Sequence, residues 1–336
     1  MPIHATRRSF LASTLATTAG LALGPIALAR AWKRGSDGLI LPWDELSPGV
    51  HAMIDQATGG NVAVVGSQGE ALVIDTKFPY LGEAIRTDAG TLGGESITLI
   101  NTHHHGDHTG GNSAFRSGDN AVTGLAHTNA VERIEGQVQN YKSAAAGGPR
   151  QANDFAPDNE RLNEMARAMA TRADALTATD WTPSLGLGNS GTITVGETEI
   201  AYAHHGPGHT DNDLVLSIDG GRVIHTGDLV FNGLHPFFDP AGGVTARGWI
   251  GSLTHVLKAC DAETVVIPGH GPKGGRETVS AQIAYLERLI DAVQAELDAG
   301  TSKADAQEKS WGFMDGLGFA SIRGRAIGAV YDELAG

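Results

Sequence analysis

The stretch His103-His104-His105-Gly106-Asp107-His108-Thr109-Gly110-Gly111-Asn112 constrains this chain more than any other. Four histidines and an aspartate fall within six residues. In an extended segment alternate side chains turn to one side, so His103 and His105 share a face and His104 points away from them. Gly106 lets the chain turn, which directs Asp107 and His108 toward a neighbouring spot. Imidazole and carboxylate are ligands that zinc accepts. Four imidazoles packed together without a metal are unfavourable electrostatically and sterically, so the cluster reads as a metal site.

Three further segments share this design. Gly206-Pro207-Gly208-His209-Thr210, His225-Thr226-Gly227-Asp228-Leu229 and Ile267-Pro268-Gly269-His270-Gly271 each set a polar residue where a strand-like run meets a Gly-rich turn. Each is weak alone; in this order, after the histidine cluster, they are specific.

The intervening chain alternates in type. Val50–Ile54, Asn61–Val65 and Ala71–Ile74 are predicted as strands separated by glycine turns. A helix is predicted over Tyr80–Leu92, and a strand over Ser96–Ile100 that delivers the histidine cluster. Later runs predict strands over Thr192–Val195, Glu199–Ala203, Asp213–Ile218, Arg222–His225 and Thr264–Ile267. Helices are expected over Trp249–Ala259, over the amphipathic stretch Val279–Ala299, and over Ile322–Leu334. This alternation is that of an α/β layered fold. Residues 115–183 are less regular. They read as an insertion near the site mouth, with a strand over Ala121–Leu125, helices over Thr128–Ser143 and Glu160–Ala175, and a breaker at Ala144-Ala145-Ala146-Gly147-Gly148-Pro149.

The motif His103-x-His105-x-Asp107-His108, followed by His209, Asp228 and His270, resembles the metallo-β-lactamase superfamily over roughly residues 48–290. The resemblance implies a four-layer αββα sandwich with the site at one edge, between the sheets. Carried over position by position, it implies two zinc ions per chain. His103, His105 and His209 hold one, Asp107, His108 and His270 hold the other, and Asp228 bridges both. His105 stands where oxygen-reducing diiron relatives have a carboxylate, which favours zinc over iron. Asp228 stands where many β-lactamases proper have cysteine or another residue. An aspartate bridge is more similar to glyoxalase II, lactonases and the broad hydrolase branch.

The implied chemistry is hydrolysis of an ester, thioester, lactone or lactam in a small-molecule substrate by a metal-bridging hydroxide. Asp107 is the expected orienting catalytic residue. His235, in the aromatic loop Asn232–Phe238, is a candidate substrate contact or proton donor. A β-lactamase proper is the alternative within the family. A non-catalytic metal-binding or cofactor-maturation accessory protein is the alternative of another class. A structural zinc site would be closed and rich in thiolates, and this chain has a single cysteine, Cys260, read as a buried structural thiol.

The N-terminus reads as targeting sequence. Thr6-Arg7-Arg8-Ser9-Phe10-Leu11 resembles a twin-arginine signal, an apolar stretch follows, and Ala27-Leu28-Ala29 or Ala29-Arg30-Ala31 offers a cleavage site. The expected organisation is a signal over 1–29, read by the twin-arginine export machinery, and one domain over 30–336. The mature protein is expected to be periplasmic or exported, with no stable membrane span. The net charge of −14 becomes −16 once Arg7 and Arg8 are removed. Such an acidic surface repels polyanions and, with the export signal, opposes a nuclease.

Neighbours of the motif carry lesser expectations. His204 and His205 are expected in the core or behind the ligands, and His225 and Thr210 as orienting partners of metal-bound groups. Asn212 and Asp213 are expected to stabilise the turn after His209. Arg247 and Lys273 read as solvated surface charges.

Overall fold

A computed structural model describes residues 38–55 and 57–336. The twin-arginine motif and both candidate cleavage sites lie outside the described residues. Among the described residues, no helix is long and apolar enough to cross a membrane.

Two sheets carry the fold. The first has seven strands in sequence order: β1 (Asp44–Ser47), β2 (Val50–Met53), β3 (Val62–Ser67), β4 (Glu70–Ile74), β5 (Ser96–Ile100), β6 (Thr123–His127) and β7 (Leu185–Leu187). Its first four strands form an antiparallel meander, and β4 to β7 run parallel. The second contains β8 (Ser190–Val195), β9 (Thr198–Ala203), β10 (Val215–Ile218), β11 (Val223–Phe231) and β12 (Val265–His270), in the order β12-β11-β10-β9-β8. Only its β11–β12 pair is parallel.

The apolar runs explain this layering. In β3, Ala63 and Val65 face the second sheet, where they meet a shared core with Leu72, Ile74, Ile100, Leu214, Leu216, Ile218 and Ile267. Val62 and Val64 are equally buried on the opposite face, which helix Gly82–Leu92 covers. A strand buried on both faces is apolar without a break. The outer face of the second sheet packs Ile224, Val230 and Val266 against helices Ala246–Ala259 and Arg276–Asp298, and helix Arg323–Ala335 adds to the same core by packing on the latter. The result is helix, sheet, sheet, helix, as the resemblance implies. Cys260 lies in this outer core, and burial raises its thiol pKa.

Residues 128–175 depart from the sequence expectation. The expected helix Thr128–Ser143 is broken at Gly136-Gln137 into helices Thr128–Glu135 and Val138–Phe155. The expected breaker lies inside the second helix, which runs through Gly147, Gly148 and Pro149. The reason is packing. Tyr141, Ala145, Gly148 and Ala152 form one buried stripe, and a Cβ on Gly148 would stand 2.8 Å from the Cβ of Tyr80. The glycine permits close approach to the turn Pro79–Leu81, and tertiary contact overrides local propensity. Strands β1 and β7 were not expected from sequence. β11 extends six residues beyond the expected end at His225, and all nine of its residues are buried.

Candidate metal centre

Each candidate ligand sits where a strand ends or bends at the same sheet edge. β5 ends at Ile100 and releases Asn101 to His105, and the short helix Gly106–Thr109 then carries Asp107 and His108. His209 lies on the loop between β9 and β10. Asp228 interrupts β11, and His270 closes β12 opposite Phe231. Small residues make this convergence possible. A Cβ on Gly269 would stand 1.8 Å from Asp228 Oδ1, and one on Gly60 would stand 2.0 Å from His108 Cε1.

The structure brings all seven candidates together in two groups. His103, His105, His209 and Asp228 offer donor atoms within 4.8 Å of one another, as do Asp107, His108 and His270. Asp228 lies between the groups. Its Oδ1 is 3.0 Å from His108 Nε2, and its Oδ2 is 3.4 Å from both His209 Nε2 and His270 Nε2. Asp107 Oδ2 is 3.2 Å from His270 Nε2.

Hydrogen bonds behind the rings decide which nitrogens face inward. His108 Nδ1 donates to Asp75 Oδ2 at 2.8 Å, and His209 Nδ1 donates to the Phe237 carbonyl at 2.7 Å. Thr102 Oγ1 donates to Asp75 Oδ2 at 2.7 Å and so accepts from His103 Nδ1 at 3.0 Å. The Nε2 atoms of these three rings are left to face the centre. His103 Nε2 is buried with no hydrogen-bond partner, and His105 Nδ1 stands only 2.9 Å from His209 Nε2. Inward-facing imidazole nitrogens around a shared carboxylate are a donor set that fits a divalent cation.

The electrostatics agree. Burial opposes charge on every group, yet Asp228, Asp75 and Asp107 hold His108 well above the usual imidazole range. Against the same burial, Asp228 and Asp107 lift His270 to about 9. Burial and the His108 charge push His103 well below that range, and burial takes His209 to about 3 despite Asp228. Asp228 stays ionised: burial opposes this, but the surrounding rings outweigh it. The carboxylates thus create a buried potential that favours positive charge.

The neighbours distribute as follows. His104 turns away from the two groups toward Asn212 and Asp239. His225 is buried, bonded to the Asn61 carbonyl and to Gly227 N–H, and burial lowers it to about 4. His204 bonds the Asp213 carbonyl, and the His205 ring stacks on His255. Asp213 accepts from Thr210 N–H and Thr210 Oγ1–H, closing the turn after His209. His235 is buried, and its Nδ1 is 2.9 Å from the Tyr285 hydroxyl of helix Arg276–Asp298, outside both groups. Arg247 pairs with Glu333 and Lys273 with Asp44, both basic side chains being exposed.

Residues 115–183 reach the motif through Thr109 and Gly110. Tyr141 Oη is 2.7 Å from Thr109 Oγ1, and the fully buried Trp181 donates to the Gly110 carbonyl at 2.9 Å. Sequence reasoning missed Asp75 and Asp239 as site residues. A carboxylate directly after a buried apolar strand, as in Ala71–Asp75, is the one local hint available for the first.

Two packed sheets sheathed in helices, with a His/Asp centre at their common edge, define a metallohydrolase class of fold. The family described as the metallo-beta-lactamase superfamily matches residues 56–270, and the chain belongs to that superfamily and is a metallo-hydrolase. It is 25% identical over 232 residues to the hydroxyacylglutathione hydrolase of Rhodospirillum rubrum, covering 69% of each chain. Among solved structures, it resembles the metallo-beta-lactamase from Pontibacter korlensis with a TM-score of 0.53 and 18% identity, over 74% of this chain and 99% of that one. A double mutant of the sec-alkyl sulfatase PisA1 gives a TM-score of 0.61 at 16% identity, over 88% of this chain and 50% of that one. At these identities the structural likeness speaks for the fold alone.

Proposed function

We propose that this chain is a zinc-dependent hydrolase of a small ester, thioester, lactone or lactam, with two zinc ions bound by the seven residues above. The observation that carries this is the convergence of inward-facing nitrogens of His103, His108 and His209 on Asp228, with His103 Nε2 buried and without a hydrogen-bond partner. His103, His105 and His209 would hold one ion, Asp107, His108 and His270 the other, and Asp228 both. When bound, the ions supply a water acidified to near neutrality and polarise the bond to be cleaved. Among the proposed ligands the Asp107 and His105 side chains are the most open to solvent, at 28% and 20%, and of the two only the Asp107 carboxylate can accept a proton-bearing water, so it would orient the attacking water. Similarity to a hydroxyacylglutathione hydrolase supports the thioester arm of the proposal.

The test is metal analysis of the purified chain, followed by a hydrolysis panel of β-lactams, lactones, thioesters, phosphoesters and sulfate esters. About two zinc ions per chain and turnover of a carbonyl substrate are expected. Fewer than one transition metal per chain overturns the proposal. We also propose export by the twin-arginine route, on the strength of Arg7-Arg8 and the apolar run after them. Replacing both arginines by lysine should hold the protein in the cytoplasm; unchanged fractionation counts against it.

A further inference from the structure

A third group of possible donors, His104, His105 and Asp239, lies beside the centre, with donor atoms again within 4.8 Å. We propose that Asp239 is a positioning residue that fixes which nitrogen of His105 faces the metal centre, so that this group orients a ligand and is not a third cation site. The inference rests on the two-zinc reading above.

Asp239 follows β11 on the loop that also carries Phe237, and it is 6% exposed. Its Oδ1 accepts the Ala241 N–H at 2.9 Å and caps the turn there. Its Oδ2 is 3.4 Å from His104 Nε2 and 3.7 Å from His105 Nε2, and is buried without a formed hydrogen bond. One carboxylate oxygen therefore faces two imidazole edges.

The tautomer of His104 is set from its far side. Asn212 Oδ1 accepts the backbone N–H of His104 at 3.1 Å. That turns the Asn212 amide nitrogen toward His104 Nδ1 at 3.0 Å, nearer to it than Oδ1 at 3.3 Å, and its second hydrogen goes to Asp211 Oδ1 at 2.6 Å. His104 Nδ1 is thus an acceptor, and its Nε2 carries the hydrogen. His104 presents Asp239 with an N–H, which cannot ligate a cation.

His105 is the ring that needs instruction. Its Nδ1 is 2.9 Å from His209 Nε2, inside the first ligand group, and a hydrogen on Nδ1 would occupy the centre. The Asp239 charge at the other edge of the ring favours hydrogen on Nε2 and leaves Nδ1 bare. A carboxylate behind a ligating imidazole fixes its tautomer and raises its basicity.

The test compares Asp239→Asn with Asp239→Ala by competition for zinc with a chromophoric chelator. In Asp239→Asn, Oδ1 keeps the Ala241 cap, so the amide NH2 faces two ring N–H groups. His105 can relieve this only by moving its hydrogen to Nδ1. Turning the amide over sets NH2 against the Ala241 N–H instead. In Asp239→Ala, water can enter and accept. The near-isosteric asparagine is therefore expected to weaken one zinc by about 10–100-fold, and alanine by less, the reverse of the order a packing role would give.

Asparagine equal to wild type, or milder than alanine, overturns the inference. So does a third zinc per chain that Asp239→Asn abolishes. Should a variant fail to fold, imidazole 15N spectra of the zinc-loaded wild type decide. One ring with hydrogen on Nε2 and metal on Nδ1 is expected, and its absence overturns the inference. Wild type that binds no zinc defeats the function proposed above, whereas two zinc ions with an inert Asp239→Asn defeat this inference alone.

Discussion

His108 donates its Nδ1–H to Asp75 Oδ2 across 2.8 Å and 33 residues of sequence. The same carboxylate accepts from the Thr102 backbone N–H at 2.8 Å and from the Thr102 hydroxyl at 2.7 Å, and that hydroxyl in turn accepts from His103. One buried acid thereby orients a ring in each ligand group. Asp75→Ala should strand three buried donors, each costing about 1–3 kcal/mol. It should also weaken zinc binding by roughly 10–100-fold. Urea unfolding of the metal-free protein and chelator competition check the two effects; wild-type values in both would remove Asp75 from this role.

Asp107 behaves differently, because its side chain is partly open to solvent and lies beside His270. Asp107→Ala should lose turnover by more than the 10–100-fold typical of an outer partner, with the fold retained. Circular dichroism and steady-state rates test this together. Retained turnover would place Asp107 outside the site.

Gly60 is required by the ring beneath it. A Cβ there would stand 2.0 Å from His108 Cε1. Gly60→Ala should displace His108, lower the zinc content, and cost about 1–3 kcal/mol through overpacking. Unchanged zinc stoichiometry and melting temperature would show that the loop simply gives way.

Asp213 supplies a pH signature. Burial raises its carboxyl to about 7 although Thr210 donates to it twice. Between the unfolded value near 4 and the folded value near 7, the native state binds a proton that the unfolded chain has released. The stabilisation is therefore complete below about pH 4 and is lost as pH rises toward 7. In metal-free protein, Asp213→Asn should gain stability relative to wild type between pH 5 and pH 8, by several kcal/mol at most. A stability difference independent of pH would contradict this.

Zinc binding should release protons near pH 7. In the metal-free protein Asp228 and its neighbouring acids outweigh burial and keep His108 and His270 protonated, while zinc requires their neutral rings. Calorimetry in two buffers of different ionisation enthalpy measures the release; equal apparent enthalpies would rule it out.

The layered α/β class, most strand positions and the seven-residue set that the fold gathers are legible in the residue pattern. Periodicity records burial, as in the unbroken run Val62–Val65, and a cluster of imidazoles announces its chemistry wherever it lies. Tertiary structure alone decided the partners that aim those rings. Asp75, Asn212 and Asp239 are ordinary polar residues in sequence; they become specific because parallel pairing of β4 with β5 sets Asp75 beside Thr102, and because the loops after β9 and β11 meet at His104. The same holds for Gly147-Gly148-Pro149, which locally reads as a breaker yet stays helical because Gly148 is pressed against Tyr80. Local pattern encodes what each segment buries, whereas a hydrogen bond between residues 33 or 108 positions apart exists only once the sheets have brought them together.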